Sequence, residues 1–179
     1  RQTKKKSTSQ KKLGRPKGSK NRDKIQVELT PELMRIQAMV KKQLAILKNL
    51  VTVRHLALDG HFGNNNALQM VLQCGLHLIS KLRCDSALYF VYDGLQKHRG
   101  PRKKYGNKID YRNIPDKHLV VKSTEGDIKT RIYQAQMLHR DFAQPLNVVI
   151  ITKTNLKTST FANVNLFSSD LELSYEKII

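Results

Sequence analysis

The sequence predicts an α/β fold, preceded by a basic tail and interrupted by a strand-rich basic segment. A strand–helix–strand pattern over residues 51–83 indicates a parallel strand pair joined by a crossover helix. Of the 179 residues, 39% are hydrophobic and 6% aromatic, which is enough for a lean core. The formal net charge is +19, and such a charge is tolerated best beside a polyanion. Nucleic acid is therefore the first partner that we consider.

Residues 1–27 are predicted to form a disordered basic tail. Residues 1–24 hold eleven Lys or Arg and one acid, a net charge of +10. Such a segment cannot bury enough apolar surface to offset its ordering entropy. Within it, a Gly-Arg-Pro core flanked by lysines resembles an AT-hook, whose extended backbone fits a narrow A·T minor groove. A nonspecific phosphate-binding arm is the alternative, and both interpretations use Arg15, Lys17 and Lys20.

Residues 28–94 are predicted to form the α/β core. A helix begins at Pro31, because Thr30 can cap it and proline is favoured in a first turn. Apolar residues at helical spacing carry this helix to Leu47. The pattern then predicts a buried strand over 51–58, a helix over 64–74 stopped by Gly75, and strands over 76–83 and 87–92.

Residues 95–160 are predicted to form a basic insertion rich in strands. Its first part, residues 95–118, has the glycines, prolines and cations of a basic loop. Strands are expected over 119–122, 128–138 and 146–153, the first two joined as a hairpin through residues 125–127. Residues 161–179 add a strand over 162–167 and the opening of a helix that would end on two exposed isoleucines.

Asp59 is the strongest candidate for chemistry. It follows a predicted strand and precedes a glycine and a helix, which is where α/β folds place their sites. A carboxylate presented from a rigid strand end suits a hard cation such as Mg²⁺. The alternative is that Asp59 only caps a turn, since Asp-Gly is a common turn pair. His55 and His61 lie close to it in sequence, but we interpret both as ordinary strand and loop imidazoles.

The predicted basic loop is the second candidate site. Its cations are interleaved with Tyr105 and Tyr111, a mixture that suits phosphate contacts and stacking on bases or sugars. A solvated surface loop is the alternative, which the overall charge disfavours. The candidate DNA-binding residues here are Lys97, Arg99, Arg102, Lys103, Lys104, Lys108 and Arg112.

Several classes of protein are excluded or disfavoured. The richest apolar run, Leu146 to Ile151, is far shorter than a transmembrane helix requires, so no membrane partner is expected. The two cysteines lie ten residues apart, a pattern typical of neither a disulfide scaffold nor a zinc ribbon. No serine or cysteine nucleophile motif of the G-x-S-x-G kind is present.

Four stretches together resemble DDE transposases from bacterial insertion sequences. They are Asp-Gly-His-Phe-Gly-Asn-Asn-Asn at 59–66, Cys-Gly-Leu-His-Leu-Ile-Ser-Lys-Leu-Arg at 74–83, Arg-Gly-Pro-Arg-Lys-Lys-Tyr-Gly at 99–106 and Asn-Leu-Phe-Ser-Ser-Asp-Leu-Glu-Leu-Ser at 165–174. The resemblance implies a ribonuclease H-like fold in which two Asp and one Glu hold two Mg²⁺ or Mn²⁺ ions. These ions serve DNA cleavage and strand joining. A bacterial, cytoplasmic, DNA-associated protein is implied, and a homodimer of the complete protein is a further expectation.

The resemblance implies that Asp59 is the second Asp of the catalytic set and that residues from about 95 to 160 are the family's strand-rich insertion. Nothing before residue 51 predicts a strand for the first Asp, and no tyrosine begins the family's Tyr-x2-Arg-x3-Glu pattern. We therefore expect a partial ribonuclease H-like fold, a central fragment with one of three carboxylates that is inactive alone. The alternative is a non-catalytic basic module that binds DNA or RNA.

Overall fold

Residues 23–179 are described in the computed structural model of the protein, and they form three α-helices and eight strands. Two short 3-10 helices, Gly60–Phe62 and Asp116–His118, accompany them. The α-helices and strands are α1 (Pro31–Leu47), β1 (His55–Ala57), α2 (Asn65–Gln73), β2 (His77–Leu82), β3 (Leu88–Val91), β4 (Tyr105–Lys108), β5 (Leu119–Glu125), β6 (Ile128–His139), β7 (Leu146–Asn155), β8 (Phe161–Ser168) and α3 (Tyr175–Ile178).

The eight strands form one sheet in the order β1-β2-β8-β7-β6-β3-β4, with β5 on β6. β1 and β2 are parallel, with His55 opposite His77, and α2 lies between them in the chain. This confirms the predicted parallel pair. The other pairings are antiparallel, including the predicted hairpin, in which Glu125 pairs with Ile128 across Gly126. The architecture is mixed α/β with a sheet that dominates it.

Both main helices begin where the sequence predicts. Thr30 Oγ1 accepts a hydrogen bond from Leu33 N at the start of α1, and Asn64 Oδ1 accepts one from Ala67 N at the start of α2. A side-chain cap satisfies an amide that would otherwise lack a partner in the first turn. Gly75 follows α2 with a φ of 74°, the left-handed conformation expected of a glycine stop.

The sheet has a core on each face. The larger core packs α1 and α2 onto one face, around Leu68, Leu78 and Phe167. The smaller core covers the other face, where Val149 meets Leu173 and Ile178. The expectation of two exposed isoleucines is therefore wrong for Ile178, which is 5% exposed because α3 turns it onto this second face.

Two sequence-based predictions need correction. The predicted buried strand over 51–58 is only three residues long, because β1 lies at the edge of the described sheet and Val51 is 60% exposed. The predicted basic loop contains a strand, β4, which pairs with β3. A Cβ at Gly106 would lie 3.1 Å from the carbonyl oxygens of Phe90 and Val91, so a glycine allows this close pairing.

Lys24, near the start of the described residues, already makes contacts with the folded core. The main-chain oxygen of Lys24 accepts a 2.7 Å hydrogen bond from the Asn65 side chain, and its ammonium donates to the Arg140 carbonyl. Lys24 therefore contacts the fold from within the predicted tail, and the boundary at residue 27 stays a prediction. Disorder stays a prediction for residues 1–22, which lie outside the described residues. The division of the rest at residues 94 and 160 also stays a prediction.

From residue 23 onward, no helix has the length and apolarity needed to cross a membrane.

Candidate active site and nucleic-acid surface

Asp59 lies just beyond the carboxyl end of β1, and its main chain is fixed to the neighbouring strand. Leu58 N donates to Ile79 O, and Ser80 Oγ donates a 2.8 Å hydrogen bond to Asp59 O. These two bonds continue the contact between the β1 and β2 segments past the last paired residue. The carboxylate is thus presented from a rigid part of the sheet, as the sequence predicts.

The turn after Asp59 depends on a glycine. A Cβ at Gly63 would lie 2.0 Å from the main-chain oxygen of Lys81, a separation that no side chain can occupy. At Gly60 the nearest atom to such a Cβ would be Lys81 Cβ at 3.5 Å, which is an ordinary contact. The two glycines therefore differ: Gly63 lets the turn lie directly against β2, whereas Gly60 has room for a side chain.

The geometry of the Asp59 carboxylate is compatible with both roles left open by the sequence, a turn cap and a metal ligand. Its Oδ1 accepts a hydrogen bond from His61 N and so caps the 3-10 helix Gly60–Phe62. The residue is nevertheless exposed, and Oδ2 makes no hydrogen bond within residues 23–179. Capping holds one oxygen in place while the other faces solvent.

The histidines near Asp59 do not complete a metal site. His61 is exposed, with its Nε2 4.0 Å from Glu32 Oε2, and His55 is paired with Asp170 at the other end of β1. Across residues 23–179, no three His, Cys, Asp or Glu side chains lie together in a group that could hold a metal ion. Asp59 alone does not provide the several carboxylates that a two-metal nuclease site needs.

The seven loop cations predicted to bind DNA are all exposed, and none forms an ion pair with a described residue. Lys103 Nζ lies 4.5 Å from the centre of the Tyr92 ring, and the Gln96 side chain bonds the main chain of Lys103 through two 2.8 Å hydrogen bonds. Arg112 stacks over Phe161 at 5.4 Å. Arg15, Lys17 and Lys20 lie outside the described residues.

A cavity of about 600 Å³ lies beside this loop, between β3, β4 and the segment before β5. Its lining includes two of the predicted cations, Lys103 and Lys108, and a third cation, Lys117, which is not among the seven predicted to bind DNA. The ring of His118 stacks on Phe90 in its wall at 5.0 Å, and burial lowers the pKa of His118. Lys117 lies in the same cavity lining as Lys103 and Lys108 because β4 folds onto β3.

The two tyrosines of the loop make contacts with the rest of the sheet. Tyr111 donates a 2.7 Å hydrogen bond to Ser86 O and accepts one from Asn165 Nδ2 at 3.0 Å. Burial raises the pKa of Tyr111 to about 12. Tyr105 packs edge-on against Tyr89. Both rings help to hold the loop on the sheet, and a role in stacking on nucleic acid stays a prediction.

Comparison with known proteins bears on what this arrangement does. Residues 2–145, more than half of the chain, match the family model described as DDE superfamily endonuclease. The chain belongs to this family. No curated protein and no solved structure matches it.

The membership confirms the resemblance to a DDE transposase-type domain that the four sequence stretches indicate. Endonucleases of the DDE superfamily act on DNA and generally depend on divalent metal ions. Both Asp59 and the seven cations of the loop lie inside the matched range. The described residues, however, offer one exposed carboxylate at the end of β1, so they do not make up the ligand set by themselves.

Proposed function

We propose that the protein is part of a transposase that cleaves DNA and joins the cut ends, with Asp59 as one carboxylate of its metal site. The observation that carries this proposal is the parallel β1-α2-β2 unit, whose first strand leads to Asp59 inside the family match. α/β enzymes bind substrates and ions at the carboxyl ends of their parallel strands, which is the position that Asp59 occupies. A ribonuclease H-like core and an origin in a bacterial insertion sequence are parts of the same proposal.

The remaining carboxylates must come close to Asp59, and the outer edge of β1 is the place open to them. Within residues 23–179, β1 pairs on one side only, with β2. An unpaired edge presents main-chain donors and acceptors to an incoming strand. We therefore propose that a strand carrying a further carboxylate pairs with β1, and that Mg²⁺ or Mn²⁺ binds only in that larger assembly.

The exposed cations of the loop would hold the DNA. Backbone phosphates are neutralised by Lys and Arg, and such contacts position a duplex without reading its sequence. Lys97, Arg99, Arg102, Lys103, Lys104, Lys108 and Arg112 supply seven charges of this kind on one segment. Their freedom from ion pairs within residues 23–179 leaves them available for phosphate.

The experiment compares two aspartates that each belong to an Asp-Gly pair. Asp59 and Asp93 each follow a strand, precede a glycine and are exposed. Asp59→Asn and Asp93→Asn are made in this chain and in a polypeptide extended along its coding sequence in both directions, and DNA cleavage and strand joining are measured with Mg²⁺ and Mn²⁺.

We expect activity in the extended protein only, its loss with Asp59→Asn, and its retention with Asp93→Asn. Circular dichroism of both variants is the control for folding. Full activity of Asp59→Asn would overturn the assigned role of Asp59. Absence of activity in every form, with DNA binding intact, would favour the second candidate function, a non-catalytic binding module, for which the exposed unpaired cations are the specific support.

A further inference from the structure

We propose that the protein binds the phosphates of duplex DNA on a second surface, the face of the sheet that carries Lys122, Lys129 and Arg131. We call these three residues the cationic sheet face. They lie on β5 and β6, outside the basic loop, and belong to none of the sequence motifs described above. The inference rests on the proposed function in one respect, that DNA is the partner.

The register of the strands places the three cations together. Lys122 lies directly opposite Arg131, and Lys129 lies opposite Thr124. Because paired residues share a face and alternate residues of a strand do too, all three side chains leave the sheet on the same side. Arg131 confirms this geometry, since its guanidinium lies 3.3 Å from the Tyr133 hydroxyl two residues along β6.

The pairing of Lys122 with Arg131 is unfavourable without a third partner. Like charges directly opposite each other in adjacent strands repel and destabilise the sheet. None of the three cations forms an ion pair with a described residue. Glu125, the one acid on β5 to β8, pairs with Ile128 and therefore lies on the opposite face. A bound anion would relieve this repulsion.

Arg131 also carries an unused donor. Its side chain is half-buried, and its Nε is buried with no hydrogen-bond partner. A buried donor without a partner is costly. Moving the guanidinium toward a phosphate would pair it, because the planar fork of an arginine suits phosphate oxygens.

The surroundings of the three cations suit a nucleic-acid backbone. The rows of paired residues continue across β7 and β8 with Thr152 and Asn163 beside Arg131, and with Thr154 and Phe161 beside Lys129. Thr152 is buried and donates to the Arg131 carbonyl, and the Asn163 amide donates to Cys84 O and Asn165 Oδ1. Thr154 makes no side-chain hydrogen bond within residues 23–179, and a hydroxyl is a common partner of phosphate and sugar oxygens. Arg112, from the basic loop, lies over the Phe161 ring at the end of the second row. The cationic sheet face is thus continuous with the basic loop at this point.

A matched control lies on the other face of the same sheet. Lys153 of β7 is exposed and pairs with Thr130 and Ala162, so its side chain leaves the sheet on the side opposite Arg131. Lys122→Gln/Lys129→Gln and Lys153→Gln are made in the full chain. Binding to labelled duplexes of several sequences is titrated across salt concentrations. Arg131→Gln is added as a third variant, with its folding checked by circular dichroism.

We expect the double variant to lower the log–log salt slope by about 1.8, which is about 0.9 for each phosphate that the variant no longer neutralises. The reduction should be the same on every duplex sequence, since phosphate contacts carry no base information. Lys153→Gln should leave the slope unchanged. A double variant with the wild-type slope, or a Lys153→Gln variant whose slope falls as much per charge, would overturn the inference.

Thermal unfolding without DNA gives an independent readout. Lys122→Gln should raise the melting temperature, because it removes the like-charge pair, while it weakens binding. A fall in both quantities would show that Lys122 supports the fold instead of the ligand, and would overturn its assignment. Absence of any binding by the wild-type chain would refute DNA as its partner. Normal binding with no effect of the double variant would refute this surface alone.

Discussion

His55 Nε2 lies 2.9 Å from Asp170 Oδ2, so one side-chain pair joins the edge strand that leads to Asp59 to the segment after β8. The two side chains are 27% and 26% exposed. Asp170 is also held by its neighbours, since its Oδ1 accepts a hydrogen bond from Glu172 N. The hydrogen bond from His55, helped by Glu172 N and the nearby His77, lowers the pKa of the Asp170 carboxyl.

Replacement of Asp170 by Asn should therefore destabilise the protein in a pH-dependent way. A carboxyl whose pKa is lower in the folded state stabilises the fold above its unfolded pKa, here about 4. That stabilisation disappears as pH falls through the lower, folded-state pKa. We expect a loss of about 1 kcal/mol at neutral pH, with the difference from wild type vanishing in acid. Urea unfolding at several pH values measures it.

Asp127→Asn serves as the comparison for Asp170→Asn. Asp127 is bound to Lys157 at 2.7 Å, but these side chains are 47% and 75% exposed. An exposed pair of this kind contributes roughly 0–1 kcal/mol, so we expect a smaller loss of stability. Equal losses for the two variants at every pH would contradict the special position of Asp170.

Gly63→Ala should be one of the most damaging single substitutions in the fold. The new Cβ would overlap the Lys81 carbonyl at 2.0 Å, and main chain on both sides would have to move. We expect a loss of about 3 kcal/mol or more in the free energy of unfolding. Gly60→Ala is the control: its Cβ would meet Lys81 at 3.5 Å, and it should cost less than about 1 kcal/mol. Similar urea midpoints for the two variants would show that the turn does not need its close approach to β2.

Deletion of residues 1–22 should weaken DNA binding and leave stability unchanged. This segment carries ten Lys or Arg and no acid, so its removal should flatten the salt dependence of binding.

Deletion of residues 1–24 should in addition lower the free energy of unfolding by about 1–2 kcal/mol. The reason is that the side-chain amide of Asn65, a residue that is 9% exposed, would lose the Lys24 carbonyl to which it donates. A fall in melting temperature with the shorter deletion would refute the separation at residue 22. Selective weakening on A·T-rich duplexes would support the AT-hook interpretation.

The local parts of the fold were predictable because single residues determine them. Thr30 with Pro31, Asn64 and Gly75 mark helix ends by their own chemistry, and Asp59 is conspicuous as an acid after an apolar run. The length of β1 was not predictable in this way. Its apolar residues suit a buried strand, yet it is an edge strand whose outer neighbour is absent from residues 23–179.

The surfaces were harder to predict than the turns. Tyr105-Gly106-Asn107-Lys108 has little strand propensity, so β4 became apparent only from its pairing with β3. The bonds that the Tyr111 hydroxyl makes to Ser86 O and Asn165 Nδ2 could not be predicted either, because the three residues are far apart in the sequence. The cationic sheet face depends on the register between β5 and β6, and a shift of one residue would move its cations to the other face. No pattern within either strand fixes that register.

The sheet order gives an approximate length for a DNA that contacts both candidate sites at once. β1, which leads to Asp59, and β4, which carries Lys108, are the two ends of the seven-strand path. Six spacings of about 4.8 Å separate them, or roughly 29 Å along the sheet. At about 3.4 Å per base pair, a straight duplex laid across this path spans roughly nine base pairs between the two ends. A shorter duplex can occupy one end of the sheet or the other, and the affinity for duplexes of increasing length should rise in a step near this value.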